Sequence, residues 1–230
     1  MDRTVEMLDI MYRQARTRVA GLAATLCDEQ LQAPVPATPR WTAHELLAHL
    51  VGCSADAASG RVDGAPGEQW TARHVAERRH RPVGELLDEW ERIGPAAEST
   101  LTEEQIFGPN IAADVICHES DLHEAFGLAR VDREHWNPLL DAMTLFLRKR
   151  LHRSSTLLIR DDEGQQWNFG SGEPTTVLRV DGYELLRAMH SRRSRRQIAA
   201  WDWSPVPVEH VVERLGFFGP RDDDQPIPPA

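Results

Sequence analysis

The sequence predicts an α+β protein in two parts, an N-terminal helical bundle followed by a small C-terminal α+β unit. Two observations carry this. Up to about His152, apolar residues recur at spacings of three and four, the period of helices with one core-facing stripe. Beyond it, short β-rich runs alternate with turn residues before helical spacing returns. The change of texture divides the 230 residues into a bundle over 1–153 and an α+β domain over 154–220. Residues 221–230, polar and proline-rich, read as a disordered tail.

The elements follow in order. Leu8, Met11, Ala15, Val19, Leu22 and Leu26 line one face of a first helix over Thr4 to Leu26. Three prolines between Ala33 and Arg40 interrupt the pattern, and a second helix starts at a capping box formed by Thr42 and Glu45. A short exposed helix is expected near Gln69 to Arg79, and a third long helix carries Val83, Leu86, Leu87, Trp90 and Ile93. The fourth is bounded by Pro109 in its first turn and Gly127 just past its end. Another begins at Asn137 as N-cap with Pro138 at the first helical position. Leu157 to Arg160, Gln166 to Phe169 and Thr175 to Val180 then read as strands of an antiparallel sheet, followed by two helical stretches.

Composition narrows the function. No apolar run approaches the roughly 20 residues of a membrane span, and the charged N-terminus lacks a signal peptide's apolar region, so a cytoplasmic protein is expected. Three widely spaced cysteines, Cys27, Cys53 and Cys117, argue for reduced thiols and against a disulfide framework. A formal net charge of -10 argues against a nucleic-acid partner, which needs a positive surface. The local exception is "HSRRSRRQ", His190 to Gln197, which reads as a solvated helix end or as an anion pocket.

The chemistry lies on the fourth helix. Asp114, His118 and Asp121 stand four and three residues apart and so form one stripe, flanked by Val115, Ile116 and Leu122. On a face turned toward the bundle interior, an ionised Asp114 costs several kcal/mol unless compensated. A divalent metal is one compensation, since a carboxylate and an imidazole one turn apart can converge on an ion. His49 is the best third ligand, because Leu46, Leu50 and Cys53 share its side of helix two. His44 falls in the exposed first turn, His123 lies off the stripe, and the remaining histidines sit in arginine-rich or loop contexts without partners. Simpler roles exist for the same residues: a satisfied core histidine for His49, a buried ion pair for Asp114 with His118, and apolar packing for Cys53.

"WTAHELLAHLVG" resembles the W-x-x-x-x-L-x-A-H-L segment of the DinB-like superfamily. "DVICHESDLHEAFG" resembles the E-x-x-x-H-x-x-D-L-x-x-A-x-G segment of its mycothiol-dependent maleylpyruvate isomerase branch. "NFGSGEPTTVLRVDGYELLRAMHSRRSR" is similar to the small C-terminal domain of that branch, related to sterol-carrier-type folds. The resemblance implies a DinB-like four-helix bundle holding one divalent metal, usually zinc, on His49, Asp114 and His118. Asp114 departs from the family, which usually has Glu there, a side chain longer by one methylene. The resemblance also places Arg192 near an anionic substrate and implies mycothiol as thiol cosubstrate.

Three protein ligands leave a tetrahedral ion one open position, which a thiol can fill. A thiol of pKa near 8.5 is only about 3% ionised at pH 7, so full ionisation raises thiolate about thirtyfold, roughly 2 kcal/mol. The expected function is therefore a metal-dependent, mycothiol-using S-transferase or isomerase acting on a small electrophile. Asp121 orients the His118 imidazole or anchors a neighbouring arginine. A non-catalytic metal-binding or regulatory module and a metal-activated hydrolase are the alternatives. His49 and Cys53 form an H-x-x-x-C pair faintly similar to zinc anti-sigma factors, but Asp56 replaces their following cysteine.

Overall fold

Helix α1 (Arg3–Ala23) buries most of the stripe its spacing predicts, with Leu8, Met11, Tyr12, Ala15 and Val19 turned inward, Leu22 half-buried and Leu26 beyond its end. In the computed structural model, which describes residues 3–102, 105, 110–151 and 156–229, this stripe packs against helices α5 (Val83–Glu98) and α6 (Ile111–Phe126). Helix α3 (Ala43–Ser59) packs against α5, α6 and the shorter α4 (Glu68–Arg78), so α1, α3, α5 and α6 form the bundle. Arg18 of α1 makes a bidentate pair with the buried Glu119 of α6, at 2.7 and 2.8 Å. This fixes the rotation of α6, whose opposite face carries the predicted stripe.

The proline-rich break forms a one-turn helix α2 (Asp28–Leu31) and a small antiparallel hairpin, β1 (Pro34–Val35) with β2 (Thr38–Thr42). The hairpin delivers Trp41 and Thr42 to the start of α3. There the expected capping box is formed: Thr42 Oγ1 accepts from the Glu45 amide at 3.2 Å, and Glu45 Oε2 from the Thr42 amide at 3.1 Å. Thr42→Ala should therefore lower stability by about 1 kcal/mol in urea unfolding, and an unchanged midpoint would show the cap to be idle. Helix α6 is capped by Asn110, whose Oδ1 accepts from the Ala113 amide at 2.9 Å, and ends at Gly127 in the left-handed region (φ 62). Pro109, expected in its first turn, lies outside the described residues.

The chain divides by contacts into Met1–Val131 with Ile227–Ala230, and Asp132–Pro226. The expected boundary at Arg153 and Ser154 falls outside the described residues, and the contact boundary lies earlier. Helix α7 (Asn137–Leu151), expected to close the bundle, belongs to the second unit. It packs against strand β4 (Gln166–Phe169) and helix α8 (Gly182–Met189). Its apolar stripe told that it has a core to cover, not which core.

The second unit's sheet runs β4, β3 (Leu157–Arg160), β5 (Thr176–Arg179), β6 (Asp202–Ser204). The three predicted strands are present, but the sheet is mixed: β3 pairs antiparallel with β4 and parallel with β5. Twelve or more residues must separate parallel neighbours, and here β4 and its following loop form that crossover.

The arginine cluster is paired rather than open. Arg193 is buried and donates to both Glu184 oxygens, at 2.6 and 2.8 Å, while Arg195 pairs with Glu213 and Arg196 with Asp224. The tail expected to be disordered is placed over its described residues. Arg221 bridges to Ser194, Gln225 is buried with its amide on Gln197 Oε1 at 3.0 Å, and Pro229 accepts from the Arg130 amide at 3.4 Å. Backbone pairing and side-chain bonds, among them those of Ser194 and Arg196 to Asp224, hold it. Among the described residues no helix is long and apolar enough to cross a membrane.

Candidate metal centre

His49 lies in the middle of α3 between Leu46, Leu50 and Cys53, all buried, and is itself 3% exposed. On the facing helix α6, Asp114 and His118 stand one turn apart, as their spacing predicts. The two helices bring the three residues together: Asp114 Oδ2 is 3.4 Å from His49 Nε2, and Asp114 Oδ1 is 3.5 Å from His118 Nε2. One ligand atom from each residue lies within 4.8 Å of the others. The Asp114 side chain is 32% exposed, so the group can be reached from solvent on that side.

These separations are too long for good N–H···O hydrogen bonds. Each runs to a different Asp114 oxygen, and each is near the spacing of about 3.3 Å between donors held ~2.0–2.1 Å from a tetrahedral ion. Asp114 Oδ2 is buried, 3.4 Å from His49 Nε2, and meets no partner in good hydrogen-bond geometry among the described residues. Such an oxygen costs about 1–3 kcal/mol, more when charged, unless something cationic answers it. Burial raises the Asp114 carboxyl, but His118 and His49 outweigh it and leave the group well below the usual aspartate range. The donor set, its spacing and the orphaned oxygen all fit a divalent cation. The shorter Asp, where the resembling family has Glu, still spans both imidazoles.

Asp121, the fourth member of the stripe, is fully buried, and its Oδ2 accepts from His118 Nδ1 at 2.8 Å. This fixes the ring with Nε2 toward Asp114. Two indoles flank the group: the Trp41 ring lies 4.8 Å from that of His49 and 6.3 Å from that of His118, and the Trp70 ring 6.4 Å from that of His49.

The structure also places residues that the sequence reading passed over. His74, in the arginine-rich α4, is fully buried, with Nδ1 3.4 Å from His49 Nδ1 and Nε2 2.9 Å from Asp56 Oδ2. Trp70, His74 and Arg78 recur every four residues beside Val75, a helical stripe that could have flagged it. Asp56 is buried and also meets Arg61 at 3.0 Å and Arg73. Burial raises its carboxyl, yet the hydrogen bonds from Arg73 and His74 prevail and hold it below the ordinary aspartate value.

His49, Cys53 and His74 form a second grouping of ligand-type atoms that shares His49. Cys53 Sγ lies 3.5 Å from His49 Nε2. Burial, reinforced by the neighbouring Asp114, pushes its thiol well above the usual value, away from the thiolate that ligation needs. His44 is not exposed as expected: it is 7% accessible, with Nε2 on the Arg81 carbonyl at 2.8 Å. The segment between α4 and α5 covers it, which a cap pattern cannot foretell. His123 lies off the stripe, its Nδ1 on the Ala129 carbonyl at 2.6 Å. Arg192 lies in the second unit, where its guanidinium donates to the His190 carbonyl at 3.0 Å.

Residues 12–105 match the family model described as the mycothiol maleylpyruvate isomerase N-terminal domain. Two solved structures share the fold, one of the mycothiol-dependent maleylpyruvate isomerase and one of a histidine-to-alanine mutant of it. Each superposes with a TM-score of 0.59 at 11% identity, covering 89% of this chain and 94% of the other. No curated protein sequence matches.

Proposed function

We propose that this chain is a member of the mycothiol-dependent maleylpyruvate isomerase branch of the DinB-like superfamily, and that it is a metal-dependent, mycothiol-using isomerase or S-transferase. The observation that carries the reading is the convergence of His49 Nε2, His118 Nε2 and the Asp114 carboxylate, whose buried Oδ2 lacks a well-formed hydrogen bond. These residues would hold one divalent cation, with zinc suited to two imidazoles and a carboxylate. When bound, such an ion lowers the pKa of a thiol in its open position.

The chain's own residues do the rest. Asp121 keeps His118 in one tautomer, and the exposed edge of Asp114 leaves the approach for thiol and electrophile. Trp41 and Trp70 provide apolar walls that hold a substrate beside the site, where orientation adds to thiolate formation. Arg192 is assigned to an anionic substrate group on family likeness alone. Cys27, Cys53 and Cys117, present as thiols, suit a reducing compartment such as the cytoplasm.

The test is metal analysis of the purified chain, followed by assays on a panel of small electrophiles with and without mycothiol. One equivalent of metal and consumption that requires mycothiol are expected. Turnover without any thiol would point to a hydrolase, and metal without turnover to a binding module; either result overturns the proposal.

A further inference from the structure

His49 turns one ring nitrogen toward Asp114 and the other toward His74. The proton positions along this line follow from what each group can do. The ionised Asp56 carboxylate, held by Arg61 and Arg73, can only accept, so the nitrogen 2.9 Å from it, His74 Nε2, carries the His74 proton. A neutral imidazole has one N–H, so His74 Nδ1 is left with a lone pair. Facing that lone pair at 3.4 Å is His49 Nδ1, while His49 Nε2 stands equally far, 3.4 Å, from the Asp114 carboxylate, so a proton on Nδ1 meets the His74 lone pair and leaves Nε2 open to a cation. Cys53 Sγ, 3.7 Å from His74 Nδ1, is a farther and weaker donor.

We propose that His74 and Asp56 are positioning residues that fix His49 as the Nδ1–H tautomer and aim its Nε2 lone pair at the Asp114 side of the cluster. The inference rests on the reading of His49 as a metal ligand. It makes the two imidazoles equivalent: Asp121 backs His118 directly, and Asp56 backs His49 through one intervening ring.

Gly52 supports a built arrangement. It lies within α3, where glycine costs about 1 kcal/mol relative to alanine. A Cβ there would sit 2.4 Å from both Cβ and Cγ of His74. Only a glycine lets α4 bring the His74 ring down beside His49. Trp70, whose ring centroid is 4.1 Å from that of His74, closes the other side.

The first measurement is nitrogen-15 NMR of the imidazoles in the metal-free full chain. His49 is expected as the Nδ1–H tautomer and His74 as Nε2–H; His49 protonated on Nε2 overturns the proposal. The second is zinc affinity by competition with a chromophoric chelator. His74→Phe should weaken binding about 10–100-fold, and His74→Asn, which keeps an acceptor near the Nδ1 position, should recover most of the loss. Equal affinity in all three proteins overturns the positioning role while leaving the metal reading intact. Failure of the unaltered chain to bind zinc defeats that reading, and the tautomer spectrum still decides the hydrogen-bond relay.

Discussion

On the proposed function, His118→Ala is expected to eliminate stoichiometric metal binding and to lower mycothiol-dependent turnover at pH 7 at least about thirtyfold, the share that thiolate formation alone supplies. The substitution deletes one of three nitrogen and oxygen donors and leaves a pair that cannot enclose an ion. It also leaves Asp114 Oδ1 without its neighbour 3.5 Å away and Asp121 Oδ2 without the imidazole it accepts from at 2.8 Å. Asp114, itself 32% exposed, then keeps only the His49 imidazole beside it. Elemental analysis of the purified variant and an assay with saturating mycothiol check both parts. A variant that keeps one equivalent of metal would mean that the ion, if any, lies on His49, Cys53 and His74 instead.

That second grouping marks where sequence reading ends. Asp114, His118 and Asp121 were legible because three- and four-residue spacing fixes direction on a helix, and His49 because its flanking leucines fix the inward face. The Thr42 cap and the limits of β3 and β4 were legible for the same local reason. His74 was not, because a helix rich in arginine and glutamate looks solvated until the pairs that neutralise it are known. Arg73 and Arg61 turn back onto Asp56, and Arg78 onto Glu89, which buries the helix face that looked polar. Asp56 drew notice only as a missing cysteine. The parallel pairing of β3 with β5, and the allegiance of α7 to the second unit, are choices among distant partners that no local period encodes.

Trp90→Ala is the second large effect, here on stability: a loss of about 3–5 kcal/mol against a typical total of 5–15. Trp90 is 1% exposed at the centre of α5, in the stripe its sequence neighbours Leu86 and Gly94 continue. Its indole Nε1 donates to Ser54 Oγ of α3 at 2.8 Å, and Tyr12 of α1 donates to the same oxygen at 2.8 Å. One buried hydroxyl thus joins three helices, and Trp90 supplies both a donor and most of the volume around it. Trp90→Phe keeps much of the volume and leaves the Tyr12 to Ser54 bond, so its loss should be only about 1–2 kcal/mol. Urea unfolding followed by far-UV circular dichroism separates the two, and similar losses for both variants would assign the effect to the hydrogen bond instead of the packing. Ser54 lies five residues beyond His49 on the same helix, so the anchor that holds α3 in place also holds the candidate ligand in register with α6. Zinc held at the proposed site would favour the folded chain and should restore part of the Trp90→Ala loss. No restoration, from a variant that still folds, would show that the indole sets the separation of His49 from Asp114 as well as the stability of the bundle.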